Sequence, residues 1–283
     1  MHVGYLNINN IKIFDHPVNL MIDDSQDVDI IFINWVSILS SEKGKRQLEV
    51  ISAKKNKDKK ILIFDSTLSM TTKDLNNIYD HLDSNNVILF EPILRNRPGF
   101  LYLPFWIDFK STADISFSNL KERNMHLVNF IPSNSLLFEY YYEAIANLQT
   151  YNVGTFWLPK DKKDYRYIIK LGVNDLRSYL NTIRCSIILD TAFNLSIGYL
   201  NPVFIKLLEY NILPIIPMEH KYYHCLFGNS KIGNHSDLMF ILKNYDSIYF
   251  GLINEIYENI KKYYPEMLTE NVRDMILNVV KGV

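Results

Sequence analysis

The sequence predicts an α/β protein built on parallel sheets and divided into two lobes. Two observations carry that prediction. Short continuous runs of Ile, Val, Leu and Phe alternate with amphipathic stretches at helical spacing, the pattern of strands covered on both faces by helices. The alternation also starts twice, at the N-terminus and again near Phe109, in a chain of 283 residues that can hold two medium domains.

The first lobe, residues 1–108, opens with a strand at His2–Leu6 and a polar loop at Asn7–Asn10. Val28–Ile33 is a second strand, introduced by Asp27–Asp29. The loop Ser41–Arg46 leads into a helix at Gln47–Lys55, which ends in a basic run with Lys57, Lys59 and Lys60. A third strand, Ile61–Phe64, stops at Asp65, and Thr71-Thr72-Lys73-Asp74 opens a helix over Thr72–Leu82. Val87–Glu91 is a fourth strand, Arg95–Gly99 a loop, and Phe100–Pro104 returns to an extended form.

The second lobe, residues 109–283, has strands at Leu127–Ile131 and Val153–Trp157 with a helix, Leu136–Gln149, between them. Ile168–Gly172 reads as a strand and Leu176–Ile183 as a helix. The stretch Thr182–Pro217 then reads as strand, loop, helix, strand. Ser186–Leu189 is a β-branched run ending at Asp190, and Phe193–Asn201 is a glycine-containing loop. Pro202 stands where a first-turn helix proline belongs, and Asn211 takes the position past the helix end, where Asn tolerates the left-handed conformation. Leu213–Ile216 is the closing strand, Ser236–Asn244 is a helix, and Ile248–Val280 is helical except at Pro265. A loop-to-helix junction just past a strand suits phosphate-bearing ligands, because a helix N-terminus offers N–H groups and partial positive charge.

Composition narrows the classes. The hydrophobic fraction of 48% and charged fraction of 22% are ordinary for a globular protein. A net charge of -1 argues against a protein that is basic all over, although the lysines are clustered. No N-terminal segment has the charged-then-apolar pattern of a signal peptide, and no apolar run approaches the roughly 20 residues of a membrane span. Cys185 and Cys225 are the only cysteines and form no CxxC, which points to free thiols in a reducing cytoplasm, the host's if the protein is viral. No P-loop or GxGxxG occurs, which lowers kinase, GTPase and dehydrogenase readings.

The segments YLNINNIKIF, VDIIFIN, LEVISAKK and KKILIFD, in that order, resemble the first lobe of the GT-B glycosyltransferases, and most of all the DNA β-glucosyltransferases of T-even bacteriophages. The second lobe is similar in layout. The resemblance implies two Rossmann-like lobes and a C-terminal helical region that crosses back to the first. It implies sugar transfer from a nucleotide sugar, a UDP-sugar by preference, with no motif that requires a divalent metal.

It also implies site residues. A carboxylate at the end of a first-lobe strand acts as general base in that family, and Asp65 is the matching position; the alternative is that Asp65 caps the turn after it. Such chemistry needs a base within hydrogen-bond reach of the attacking hydroxyl and N–H groups or positive charge facing the departing diphosphate. Ser133, Asn134 and Ser135 fall where the diphosphate loop belongs, without the arginine of the phage enzymes. Gly172 and Val173 resemble the turn that reads the nucleobase, with a plain strand-to-helix turn as the alternative. Either Glu209 binds the ribose or Lys206 meets phosphate, unless the two form a surface ion pair. Asn194, Ser196 and Tyr199 are further candidates for donor contact.

Lys43, Lys45, Arg46, Lys54, Lys55, Arg95 and Arg97 are candidates for double-stranded DNA phosphates, with a solvated helix end as the plainer reading of the lysines. Asp27-Val28-Asp29 precedes a strand rather than following one, so it reads as a turn and not a metal–diphosphate motif. His220, His224, Cys225 and His235 lack the partners that would complete a metal site. The expected function is sugar transfer to a hydroxyl, with a hydroxymethylated pyrimidine in phage DNA as the preferred acceptor. The alternatives are a transferase for surface polysaccharide or glycan, and a catalytically silent module of the same fold.

Overall fold

The structure, a computed structural model, describes residues 3–5, 30–35, 52, 58–95, 97–107, 122–129, 153–155, 180–188, 190–228 and 235–282. The expected helix Leu136–Gln149 and strand Ile168–Gly172 lie outside these residues, as does Gln47–Lys55 apart from Ser52. The chain divides into two compact units: Met1–Phe105 with Glu270–Val283, and Trp106–Thr269.

The first unit holds a five-stranded sheet, β1 (Val3–Tyr5), β2 (Ile30–Asn34), β3 (Lys60–Phe64), β4 (Val87–Glu91) and β5 (Phe100–Tyr102), hydrogen-bonded in that order. Every neighbouring pair is parallel. Ile33, Ile63 and Leu89 share one rung and Ile31 and Ile61 another, because parallel partners point to the same face. These residues form one core with Trp35, Met70, Ile78 and Leu82. On the opposite face Phe64 packs between Phe32 and Phe105, at ring-centroid distances of 6.2 and 5.5 Å. Burial on both sides is why β3 reads as a continuous apolar run. Helix α1 (Thr72–His81) starts on a reciprocal cap: Thr71 Oγ1 accepts from the Asp74 amide, and Asp74 accepts from the Thr71 amide.

The second unit holds a four-stranded parallel sheet of β6 (Met125–Asn129), β7 (Val153–Thr155), β8 (Ile183–Ile187) and β9 (Leu213–Ile215), in the order β7-β6-β8-β9. Two strand expectations shift. β6 starts two residues before the expected Leu127, and β8 starts at Ile183 rather than Ser186, so the expected helix to Ile183 ends sooner. Arg184 hid the start of β8. A charge is tolerated there because its guanidinium donates to the Arg123 carbonyl at 2.7 Å and lies 5.1 Å from the Tyr245 ring.

The expected loop Phe193–Asn201 contains a short helix, α2 (Ala192–Ile197). Thr191 caps its start, and Gly198, with φ 79°, closes it in the left-handed conformation. Helix α3 (Pro202–Glu209) follows, with proline in its first turn and Asn211 at φ 51° beyond its end. Helix α4 (Tyr223–Phe227) is short. The two helices expected after residue 235 are one, α5 (His235–Tyr263), followed by a 3-10 turn at Pro265–Met267 and helix α6 (Thr269–Lys281). Leu238, Ile241, Leu242, Tyr245, Tyr249, Ile253, Ile256 and Ile260 make a single buried stripe along α5, which overrides the polar Asp246-Ser247 interruption.

The carboxyl end of α3 is anchored from three directions. Arg123, 4% exposed, donates to the Tyr210 and Asn211 carbonyls and to Ile183 O. Tyr249 Oη donates to Asn211 O, and Tyr257 Oη to Leu208 O. A cation and two hydroxyls thus meet the negative end of the helix dipole and its last carbonyls. No described helix is long and apolar enough to cross a membrane.

Candidate functional site

Parallel α/β sheets bind ligands beyond the carboxyl ends of their strands. In the first unit that edge carries Asp65, one residue past β3, and Glu91, the last residue of β4. The ladder continues through both, since Asp65 N donates to Phe90 O and Leu103 N to Glu91 O. Asp65 is completely buried. Its Oδ1 accepts from the Ser69 amide at 3.0 Å, and its Oδ2 from the Met70 amide at 3.0 Å and Arg97 Nη1 at 3.1 Å. Capping the turn after β3 is therefore the role its geometry displays, the alternative that the sequence left open.

Arg97 is equally committed. Besides Asp65 it donates to Met70 O, lies 3.7 Å from Glu91 Oε2, and stacks 3.8 Å from the Phe100 ring. Arg95 Nε and Nη2 both reach Glu91 Oε2 at 2.9 Å. These two arginines, candidates for nucleic-acid phosphates, are each bound to carboxylates of their own sheet edge. Lys43, Lys45, Arg46, Lys54 and Lys55 lie outside the described residues.

Glu91 is 1% exposed, and its Oε1 has no hydrogen-bond partner among the described residues. An acceptor left unmade inside a protein costs about 1–3 kcal/mol, more if charged. Burial pushes the Glu91 carboxyl above the usual carboxylate range, and the Asp65 charge adds to it, against the opposing pull of Arg95 and Arg97. The sequence offered only one sign of this residue, a glutamate closing an apolar strand.

In the second unit the chain leaves β6 for β7 on one side and returns to β8 on the other, so the carboxyl ends of β6 and β8 flank the point where strand order reverses. Ser133, Asn134, Ser135, Gly172 and Val173 lie outside the described residues. Beyond β8, Asp190 joins the starts of α2 and α3. Its Oδ1 accepts from Thr191 N and Asn194 Nδ2, both at 2.7 Å, and its Oδ2 from Asn201 Nδ2 at 3.3 Å. Sequence reasoning saw Asp190 only as the residue where a strand stops.

The donor-side candidates have internal partners. Asn194 is held by Asp190, and Ser196 Oγ donates to Phe193 O at 2.8 Å. Tyr199 is 5% exposed, so its ring belongs to the core. Lys206 and Glu209 pair at 2.7 Å, the ion-pair alternative of the sequence reading, with side chains 22% and 11% exposed. The start of α3 is also less open than expected. Asn201 takes the Val203 amide with its side chain at 3.0 Å and the Phe204 amide with its carbonyl at 2.8 Å, while Pro202 has no N–H.

His220, 4% exposed, clamps the loop between α2 and α3. Nδ1 accepts from the Tyr222 amide at 3.1 Å, which leaves Nε2 as the donor to Tyr199 O at 3.2 Å. That pattern fits one neutral tautomer. Burial holds the ring below its ordinary value, against the Tyr199 carbonyl and the Asp190 charge. The adjacent Lys221 amide donates to Leu195 O at 3.0 Å. Among the described residues no group of three or more His, Cys, Asp or Glu is placed to hold a metal ion.

No family model and no curated protein matches the sequence. Solved structures share the fold. One is an alpha-glucosyltransferase in complex with UDP and a 13-mer DNA containing a central A:G mismatch. It aligns with TM-score 0.63 and 10% identity over 90% of this chain and 80% of that one. An alpha-glucosyltransferase in complex with UDP-glucose and DNA containing an abasic site aligns with TM-score 0.58 and 9% identity over 90% and 81%. An alpha-glucosyltransferase in complex with UDP gives TM-score 0.61 and 9% identity over the same shares. The resemblance to DNA glucosyltransferases expected from the sequence is thus present in the fold. These structures are of alpha-glucosyltransferases, whereas the sequence segments pointed to the β-glucosyltransferases.

Proposed function

We propose that this protein is a glycosyltransferase that moves a sugar from a UDP-sugar to a hydroxyl group on double-stranded DNA, with a hydroxymethylated pyrimidine as the acceptor. The observation that carries the reading is the fold match over 90% of the chain to structures that hold UDP, UDP-glucose and DNA. The reversal of strand order between β6 and β8 supports a nucleotide at the carboxyl edge of the second sheet. In this reading the chain is a GT-B enzyme with an acceptor lobe at 1–108 and a donor lobe at 109–283. Its C-terminal helical region crosses back to the acceptor lobe, in keeping with the grouping of Glu270–Val283 with the first unit.

A catalytically silent module of the same fold is the second reading. It is favoured by the internal pairing of Lys206, Glu209 and Asn194. Two measurements separate the readings. UDP, present at about 100 times its dissociation constant, stabilises a protein that binds it by roughly 2.7 kcal/mol. Hydroxymethylcytosine-containing DNA incubated with UDP-glucose and other nucleotide sugars, then digested for nucleoside mass spectrometry, shows the sugar adduct only if transfer occurs. Stabilisation without adduct selects the module, and neither result would leave the transferase reading standing on fold alone.

A further inference from the structure

Two carboxylates and two guanidiniums share the carboxyl edge of the first sheet, and they are not equally occupied. Asp65 has both oxygens engaged, by two backbone amides and Arg97. Glu91 gives only Oε2 to Arg95 and Arg97; Oε1 is buried and has no partner among the described residues. A buried acceptor without a donor is rare in native proteins and calls for an explanation. Here it sits at the end of a strand paired on both sides, where α/β proteins place reacting groups.

We propose that Glu91, rather than Asp65, takes the proton from the acceptor hydroxyl. The proposal rests on the transferase reading above. In the step, the hydroxyl oxygen bonds to the anomeric carbon of the UDP-sugar. The bond from that carbon to the diphosphate oxygen breaks, and its electron pair leaves with UDP. The hydroxyl proton passes to Glu91 Oε1. The hydroxyl supplies the hydrogen-bond donor that Oε1 lacks, once the side chains shielding it give way. Arg95, forked onto Oε2, keeps the carboxylate in one orientation while Oε1 changes partner.

The electrostatics fit this role. The charged groups acting on Glu91 are Arg95, Arg97 and Asp65, so with Glu91 ionised the cluster balances two positive against two negative charges. Taking up a proton leaves one positive charge in excess, the sign that favours a nearby polyphosphate or DNA backbone. Burial shifts the carboxyl toward neutrality, the direction that strengthens a base. Shielding from solvent also keeps water from competing for the same oxygen.

The test is sugar transfer from UDP-glucose to hydroxymethylcytosine-containing duplex by wild type, Glu91→Gln and Asp65→Asn. Each variant is checked by circular dichroism and by its thermal shift with UDP. Glu91→Gln is expected to lose about 100-fold or more in kcat while keeping the UDP shift and a KM for DNA within about threefold. Asp65→Asn is expected to lose stability but to stay within about tenfold in kcat. The acidic limb of the wild-type pH–rate profile should vanish from the residual activity of Glu91→Gln. Full kcat in Glu91→Gln, or loss of transfer confined to a folded Asp65→Asn, overturns the assignment alone. A folded wild type that transfers no sugar overturns both this assignment and the reading beneath it. Should Glu91→Gln not fold, carboxyl carbon NMR of the wild type decides: added acceptor duplex must move the Glu91 resonance, and an unmoved resonance overturns the proposal.

Discussion

Replacing Arg123 by methionine tests how the second unit holds α3. The guanidinium makes three hydrogen bonds, to Ile183 O at 2.8 Å, Asn211 O at 2.6 Å and Tyr210 O at 2.9 Å. Its acceptors lie 60 to 88 residues further along the chain, so it joins the entry of β6 to the start of β8 and the end of α3. Bonds to a charged group are worth about 1.5–3 kcal/mol each. Two effects reduce the sum. Methionine preserves most of the packing of the arginine stem and removes a buried charge whose Nε has no partner among the described residues. Asn211 O also keeps the Tyr249 hydroxyl. A net loss of about 3 kcal/mol follows, because Ile183 O and Tyr210 O lose a charged donor.

In a unit of this size each kilocalorie lowers the melting midpoint by about 2–4 °C, so the expected drop is roughly 6–12 °C. Arg123→Lys should recover less than half of it, since one ammonium cannot span three carbonyls. Combining Arg123→Met with Tyr249→Phe should give a non-additive loss, with a coupling of about 0.5–3 kcal/mol, because both donors share Asn211 O. Urea and thermal melts of the wild type, the three single variants and the double variant measure this. A loss under about 1 kcal/mol for Arg123→Met, or strict additivity with Tyr249→Phe, would refute the reasoning.

The loop between α2 and α3 yields two further predictions. The neutral state of His220 is the one favoured by folding, so its folded pKa lies below its ordinary 6.5. The unfolded chain then binds the extra proton first, and stability is full above pH 6.5 and falls as pH drops through 6.5 toward the folded value. His220→Gln, which can still donate to Tyr199 O, should flatten that fall; His126, also lowered by burial, contributes in the same direction. Denaturant midpoints between pH 5 and 8 measure it, and an unchanged slope in the variant would count against the assignment. Gly198→Ala should cost more than the roughly 1–2 kcal/mol of a left-handed alanine, because its Cβ would run into the Tyr222 ring. Equal stability of Gly198→Ala and wild type in urea melts would contradict that packing.

Much of the scaffold was legible because its signals are local. β4 spans the expected Val87–Glu91, and β3 needed only Lys60 added, since strands buried on both faces leave an unbroken apolar run. Pro202 and Asn211 marked α3 through backbone preferences that each residue carries by itself. Helix α2 escaped notice because six residues are too few to show a period. The polar clusters escaped for a different reason. Arg97 meets Asp65 across 32 residues and Arg123 meets Asn211 across 88, so no spacing rule connects them. Lys206 and Glu209, three apart on one helix, were visible as a possible pair.

The same distinction bears on which carboxylate does chemistry. A likeness at 10% identity shows a shared fold and carries no residue roles with it. Position alone therefore treats Asp65 and Glu91 alike, since both close neighbouring parallel strands at one sheet edge. Occupancy separates them. A base must exchange one hydrogen-bond partner for another during reaction, and Asp65 could do so only by releasing the turn that supplies its two amides. Glu91 can accept at Oε1 without breaking any bond it already makes. Its arginines, bound at the other oxygen, hold the carboxylate in one orientation while Oε1 changes partner.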